Sequence, residues 1–183
     1  MRADARDNRA RIMTAADEVF GQSPAASTDD VAKLAGVGIA TVFRHFATKT
    51  ELLEAVLTLR LERLRDRALQ LAGSADPGAA FYEFFTQVVS ESASKLAIAE
   101  ALTASGVAAA GEEARAAGHG MREAFDGLLT AAQKAGAVRP DAHFPEVYAL
   151  LIGSSRGATA ARLDAETRDR MLALVYDGLK PPT

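Results

Sequence analysis

Thr28-Asp-Asp-Val-Ala-Lys-Leu-Ala-Gly-Val-Gly-Ile-Ala-Thr-Val-Phe-Arg-His-Phe-Ala-Thr-Lys-Thr-Glu-Leu-Leu53 is the stretch whose reading decides the fold. Ser27 stands immediately before it, with Asp30 three residues on, a capping-box-like start that also sets two acids at the positive end of the helix dipole. The short helix so begun runs to about Ala35. Gly36 can take the left-handed conformation that closes a helix in a tight turn, and Val37 can drop its side chain into a core. A further short helix follows over about Ile39 to Phe46. A longer one begins near Thr48, an N-cap with Glu51 three residues on, and its leucines and valines carry it to about Leu71.

Two short helices joined by a glycine turn and packed on a longer first helix form a helix-turn-helix, which lays its second helix in the major groove of DNA. The helical wheel tests this. At about 100° per residue, Val42 and Phe46 sit together with Ile39 and Phe43 flanking them, so that side is expected to be buried. Ala40, Thr41 and Arg44 then face outward, with His45 at the edge. Small residues permit close approach, Thr41 can reach phosphate or a base edge, and Arg44 can pair bidentately with guanine. Lys49 and the backbone amides near it and at Ser27 to Asp29 suit phosphate.

Upstream, Ile12, Ala15, Ala16, Val19 and Phe20 recur at the spacing of one buried stripe in a helix over roughly residues 6–21. Charge is distributed unevenly. The 183 residues carry a formal charge of −3, which gives no overall hint of a polyanionic partner. Locally, no acid occurs between Asp30 and Glu51, whereas Lys33, Arg44 and Lys49 do. Arg2, Arg6, Arg9 and Arg11 add to this against Asp4 and Asp7.

Downstream, residues 73–78, with Asp76 and Pro77, mark the clearest boundary. Helical stretches are expected beyond it over Ala79 to about Lys95, Leu96 to Ser105, Glu112 to Ala135, Phe144 to Ala161 and Ala165 to Leu179. Ala-rich residues 107–110 blur the local boundaries. The expected fold is all-α: a three-helix helix-turn-helix domain over 1–58, a fourth helix linking to about 72, and a second helical domain over 73–183, to which the family resemblance given below assigns ligand binding and dimerisation.

The composition, 49% hydrophobic and 25% charged, is that of a soluble globular chain. The absence of cysteine excludes disulfides, thiol nucleophiles and thiolate metal sites. The arginine-rich start lacks the apolar core of a signal peptide, and no stretch reaches the roughly 18 apolar residues of a membrane span, so the expectation is a cytoplasmic protein without a membrane partner. His45, His119 and His143 lie on separate elements without paired metal-ligand spacing, so no metal is expected; His119, between Gly118 and Gly120, reads as a loop residue and His143 as preceding a helix. Ser154-Ser155 is no nucleophile elbow, and no acid-base pair or phosphate loop appears, so no catalytic residue and no cofactor are expected.

The order of residues from Thr28 to Leu53 resembles the N-terminal signature of the tetracycline-repressor (TetR) family: an Ile/Val-Ala pair, an Ala-Gly-Val turn, Thr-hydrophobic-Tyr-x-His-Phe, and Lys-x-x-Leu. Phe81 to Phe85 followed by Lys95-Leu-Ala-Ile-Ala-Glu-Ala-Leu102 resembles the C-terminal domain of its SbtR-like branch. The resemblance implies DNA contacts at Ser27, Gly38, Ile39, Ala40, Thr41, Phe43, Arg44, His45 and Lys49. Phe43 replaces the family's tyrosine, which removes a hydroxyl from phosphate, and Gly38 replaces its capping Ser or Thr.

The resemblance also implies that the last two helices pair with their symmetry mates. Leu150, Leu151, Leu172, Val175 and Leu179 would supply apolar surface, with small residues such as Ser154 and Gly157 allowing close approach. A pocket for an unidentified small-molecule effector would draw on Phe84, Phe85, Val88, Leu102, Met121 and Phe125, each of which alone reads equally well as core. The function implied is a ligand-responsive repressor acting as a homodimer on a palindromic duplex operator. A TetR-fold activator or ligand-independent regulator, a helical enzyme and an interaction adaptor remain as alternatives.

Overall fold

In a computed structural model the described residues are 2–104 and 111–182, without the side chains of 2, 3, 94, 95 and 104. All regular structure among them is α-helical: α1 Arg2–Gln22, α2 Thr28–Ala35, α3 Ile39–His45, α4 Lys49–Leu71, α5 Pro77–Ser90, α6 Ser92–Ala104, α7 Glu112–Lys134, α8 Phe144–Ala160 and α9 Ala165–Leu179. Ser105 and the alanine-rich 107–110 lie outside the described residues.

Local chemistry explains the boundaries. Ser27 caps α2 reciprocally: its hydroxyl accepts from the Asp30 amide at 3.2 Å, and the Asp30 carboxylate accepts from the Ser27 amide at 2.9 Å. Gly36 ends α2 at φ 63°, ψ 39°, with the Val37 amide returning to the Ala32 carbonyl at 3.1 Å. Thr48 accepts from the Glu51 amide at 3.1 Å to open α4. Asp76 accepts from the Ala79 amide at 2.9 Å, and Pro77 occupies the first turn of α5, where its missing N–H costs nothing. Asp164 caps α9 through the Thr167 amide at 2.8 Å.

Two expectations about elements are corrected. The break between the fifth and sixth helices falls at Glu91, not at Lys95; the Ser92 hydroxyl donates to the Val89 carbonyl at 2.7 Å and so satisfies one of the end carbonyls of the fifth helix. His119 is not in a loop but inside α7. Gly118 and Gly120 leave room for α4 rather than breaking the helix: a Cβ would stand 3.9 Å from Leu61 at the first and 3.3 Å from Arg65 at the second.

The chain divides into two compact units, Met1–Arg60 with Ser94–Ala116, and Leu61–Ala93 with Ala117–Thr183. The sequence reading placed the second domain over 73–183; of the described residues in that range, 94–104 and 111–116 group with the first unit. Within the first unit, Ile12, Ala15, Ala16 and Phe20 of α1 pack with Val31, Ala32 and Ala35 of α2, Val42 and Phe46 at α3, and Leu52, Leu53 and Val56 of α4. Arg60 clamps α4 to α1, its Nε donating to the Asp17 carboxylate at 2.6 Å and Nη2 to the Asp17 carbonyl at 2.7 Å. Within the second, Phe125 of α7 is a fully buried hub with ring centroids 5.6 Å from Phe81, 5.3 Å from Phe84, 6.3 Å from Phe85 and 5.8 Å from Phe144. Among the described residues, no helix is long and apolar enough to cross a membrane, and no group of three His or carboxylate side chains is placed to hold a metal.

Candidate nucleic-acid interface

α3 is a short helix fixed at its C-terminal half. Val42 is fully buried and Phe46, the C-cap, nearly so. Ala40 and Arg44 are exposed and Thr41 is partly so. Arg44 Nη2 donates to Thr41 Oγ1 at 2.7 Å, which holds the guanidinium along the outer face, one helical turn from its partner. His45 is half-buried at the edge.

The wheel set Ile39 and Phe43 beside the buried side, but the structure leaves them 37% and 46% exposed. Burial on α3 is confined to Val42 and Phe46, so the apolar flanks join the outward surface and can meet sugars or thymine methyl groups. Gly38, at φ −70° and ψ 146°, caps α3 with its backbone alone; its carbonyl accepts from the Thr41 amide at 2.8 Å.

The flanking charges are held as well. Lys49, the first residue of α4, places Nζ 5.5 Å from the Phe20 ring centroid, and Arg9 lies 4.7 Å over Phe46. Lys33 pairs with Asp29 at 2.7 Å; this partner raises its pKa and keeps it charged, while the carboxylate offsets that charge locally. The Ser27 hydroxyl also donates to the Asp30 carboxylate at 2.7 Å. That bond holds the Asp30 pKa below the usual carboxylate range and engages Ser27 in the cap.

Sequence reasoning missed Arg11. Its Nε and Nη2 donate to the Ala35 carbonyl at 3.1 and 2.6 Å, and Nη2 also donates to the Gly36 carbonyl at 2.9 Å. No local pattern announces a bond to a backbone group 24 residues away.

The expected effector-pocket residues divide between the two cores. Phe84, Phe85, Val88, Met121 and Phe125 share the core of the second unit, where the rings fill one another's space. Leu102 does not join them; α6 carries it into the core of the first unit beside Ile98.

The expected dimer residues also separate. Leu151, Leu172 and Leu179 are buried at 1–3% exposure in their own protomer's core, with Ser154 also buried and Val175 half-buried. Leu150 and Gly157 face outward, joined by Ile152 on α8 and by Leu174 on α9, which is 75% exposed. The reading took the largest apolar residues of each helix as surface, but at 3.6 residues per turn Leu151 and Leu172 fall on the stripe that closes the core.

Comparison with known proteins agrees with this architecture. A family model for bacterial regulatory proteins of the tetR family matches residues 12–56, and one for the C-terminal domain of SbtR-like transcriptional regulators matches residues 76–181. A TetR transcription regulatory protein of Mycobacterium vanbaalenii is 33% identical, with 98% of each chain covered and a TM-score of 0.78. A TetR transcriptional regulator of Streptomyces coelicolor is 28% identical over 96% of this chain and 99% of its own, with a TM-score of 0.76. An HTH-type transcriptional regulator of Staphylococcus aureus is 35% identical over 66 residues, 34% of this chain and 35% of that protein, so the match spans about a third of that relative's length. The chain belongs to the TetR family of bacterial regulatory proteins, among the transcriptional regulators with an SbtR-like C-terminal domain.

Proposed function

We propose that this protein is a ligand-responsive transcriptional repressor, not an enzyme, that acts in the cytoplasm as a homodimer on a palindromic duplex operator. The observation that carries DNA reading is the outward face of α3, where Arg44 is braced by Thr41 and flanked by exposed Ile39, Ala40 and Phe43. Gly38, His45 and Lys49 border that face, and Ser27 supports it from the head of α2. In this reading residues 1–58 bind DNA, α4 links onward to about residue 72, and residues 73–183 bind effector and dimerise.

Dimerisation is supported by the exposed apolar residues of α8 and α9. Leu150 and Gly157, two turns apart on one flank of α8, and Leu174 on α9 are exposed positions that a second copy can cover at close range. Two α3 helices would then enter successive major grooves about 34–36 Å apart on one side of the duplex. An effector that prefers a dimer with a different separation would release DNA by differential affinity alone.

The test is selection of bound duplexes from a random pool by the purified protein, followed by titration at several salt concentrations. An enriched inverted repeat supports the reading. Arg44→Ala should then cost about 1–3 kcal/mol and relax one base position, and Lys49→Ala should weaken all sequences alike and lower the salt slope by about one. No preference over random DNA at moderate salt would overturn it. A thermal-shift screen of small molecules tests the effector, since a ligand at about 100 times its Kd adds roughly 2.7 kcal/mol of stability.

A further inference from the structure

The link between α2 and α3 is three residues long and two of them are glycine, the residue with the most backbone freedom to lose on ordering. In a DNA reader that segment sets the angle at which the second helix is presented, and looseness there would cost affinity for one sequence before it cost affinity for DNA in general. The contacts of Arg11 fall on this segment. Its guanidinium spans the end of α2, donating twice to the Ala35 carbonyl and once to that of Gly36, with a long contact from Nη1 to Asn8 Oδ1 at 3.5 Å.

The anchor is firm at its other end. Ile12, next to Arg11 in α1, is fully buried among residues of α2, α3 and α4. The last carbonyls of a helix carry its partial negative charge and have no partner within the helix, so a guanidinium there is matched both in charge and in geometry. The left-handed Gly36 makes the space for it: a Cβ at that position would stand 2.9 Å from Arg11 Nη2.

We propose that Arg11 is a positioning residue for DNA reading, which fixes the turn Gly36–Gly38, and with it the presentation of the α3 face, through the carbonyls of Ala35 and Gly36. The inference rests on the DNA-binding reading given above. It differs from a phosphate contact by the same arginine, because a side chain committed to the turn releases no counterion when DNA binds.

The experiment compares the full-length protein with Arg11→Gln and Arg11→Lys. The probes are the duplex that the wild type selects from a random pool and poly(dI-dC) as non-specific DNA. Arg11→Gln should bind the selected duplex about tenfold more weakly, as expected for losing charge-assisted bonds. Its affinity for poly(dI-dC) should change by less than about twofold, and its salt slope should match the wild type. Amide hydrogen exchange over residues 36–38 should be faster in Arg11→Gln than in the wild type, with Arg11→Lys between the two on every measure.

A slope reduced by about one, with both DNAs weakened alike, would make Arg11 a phosphate ligand and overturn the proposal. Unchanged exchange together with unchanged affinity would overturn it equally. Should the Gln variant lack the wild-type circular dichroism spectrum, Arg11→Lys carries the comparison. If the wild type selects no sequence, the DNA-binding reading falls by itself, and exchange over residues 36–38 still decides whether Arg11 holds the turn.

Discussion

Gly36 and Gly38 lie two residues apart in one turn, and serine at each should move stability in opposite directions. At Gly38 the backbone stands at φ −70°, ψ 146°, open to any L-residue, and an added Cβ meets nothing within 4 Å. Replacing glycine at a compatible site stabilises by about 0.4–1 kcal/mol through the unfolded chain, and a serine N-cap adds a few tenths over glycine. Gly38→Ser should therefore gain roughly 0.5–1 kcal/mol, raising Tm by about 1–4 °C for a chain of this size. At Gly36 the φ of 63° costs a side chain about 1–2 kcal/mol. The new Cβ also displaces Arg11 from bonds that a charged donor makes worth more than a neutral one. Gly36→Ser should lose roughly 2–4 kcal/mol and lower Tm by about 4–16 °C. Thermal unfolding followed by circular dichroism measures both. Shifts of the same sign would refute the reasoning, because composition changes identically in the two variants and only local geometry differs.

Three further outcomes follow from the second unit and its surface. Phe125→Ala should cost about 3–5 kcal/mol in urea unfolding, since the ring is fully buried among four others; a loss under about 1 kcal/mol would mean that it lines open space. Leu150→Glu combined with Leu174→Glu should yield a folded monomer in sedimentation, whereas Leu151→Ala or Leu172→Ala should lower stability by about 2–5 kcal/mol and leave assembly intact. Burial pushes the Tyr176 hydroxyl up to about 12, so its contribution is complete below the ordinary tyrosine value near 10 and is lost as pH rises through about 12. The stability advantage of the wild type over Tyr176→Phe, which lacks the Thr86 hydrogen bond, should shrink over that window, and an advantage that grew with pH would contradict the assignment.

The reading turn was legible because its determinants are local. Ser27 with Asp30 and the left-handed Gly36 declare themselves within ten residues, so the ends of α2 and α3 were readable to within a residue. The outward set Ala40, Thr41 and Arg44 followed from helical angle alone. What required distant partners was not legible. Arg11 counted only as one more positive charge, since its acceptors are backbone carbonyls that any sequence supplies. Leu151 and Leu172 looked like interface because hydrophobicity does not distinguish a protomer's core from its contact surface. Leu102 read as a neighbour of Phe84 and Phe125 because proximity in sequence says little about which core a helix joins.

The glycines of α7 carry a consequence for the order in which the chain folds. Gly118, Gly120 and Gly127 each set a helix back by about 1 kcal/mol relative to alanine, a handicap that its short-range contacts cannot overcome. Gly118 and Gly120 are also the points where Leu61 and Arg65 come close, so their deficit is recovered only once α4 is in place. α7 is therefore expected to consolidate after α4, and alanine substitutions at exposed positions along α7 should change the unfolding rate while leaving the folding rate nearly untouched.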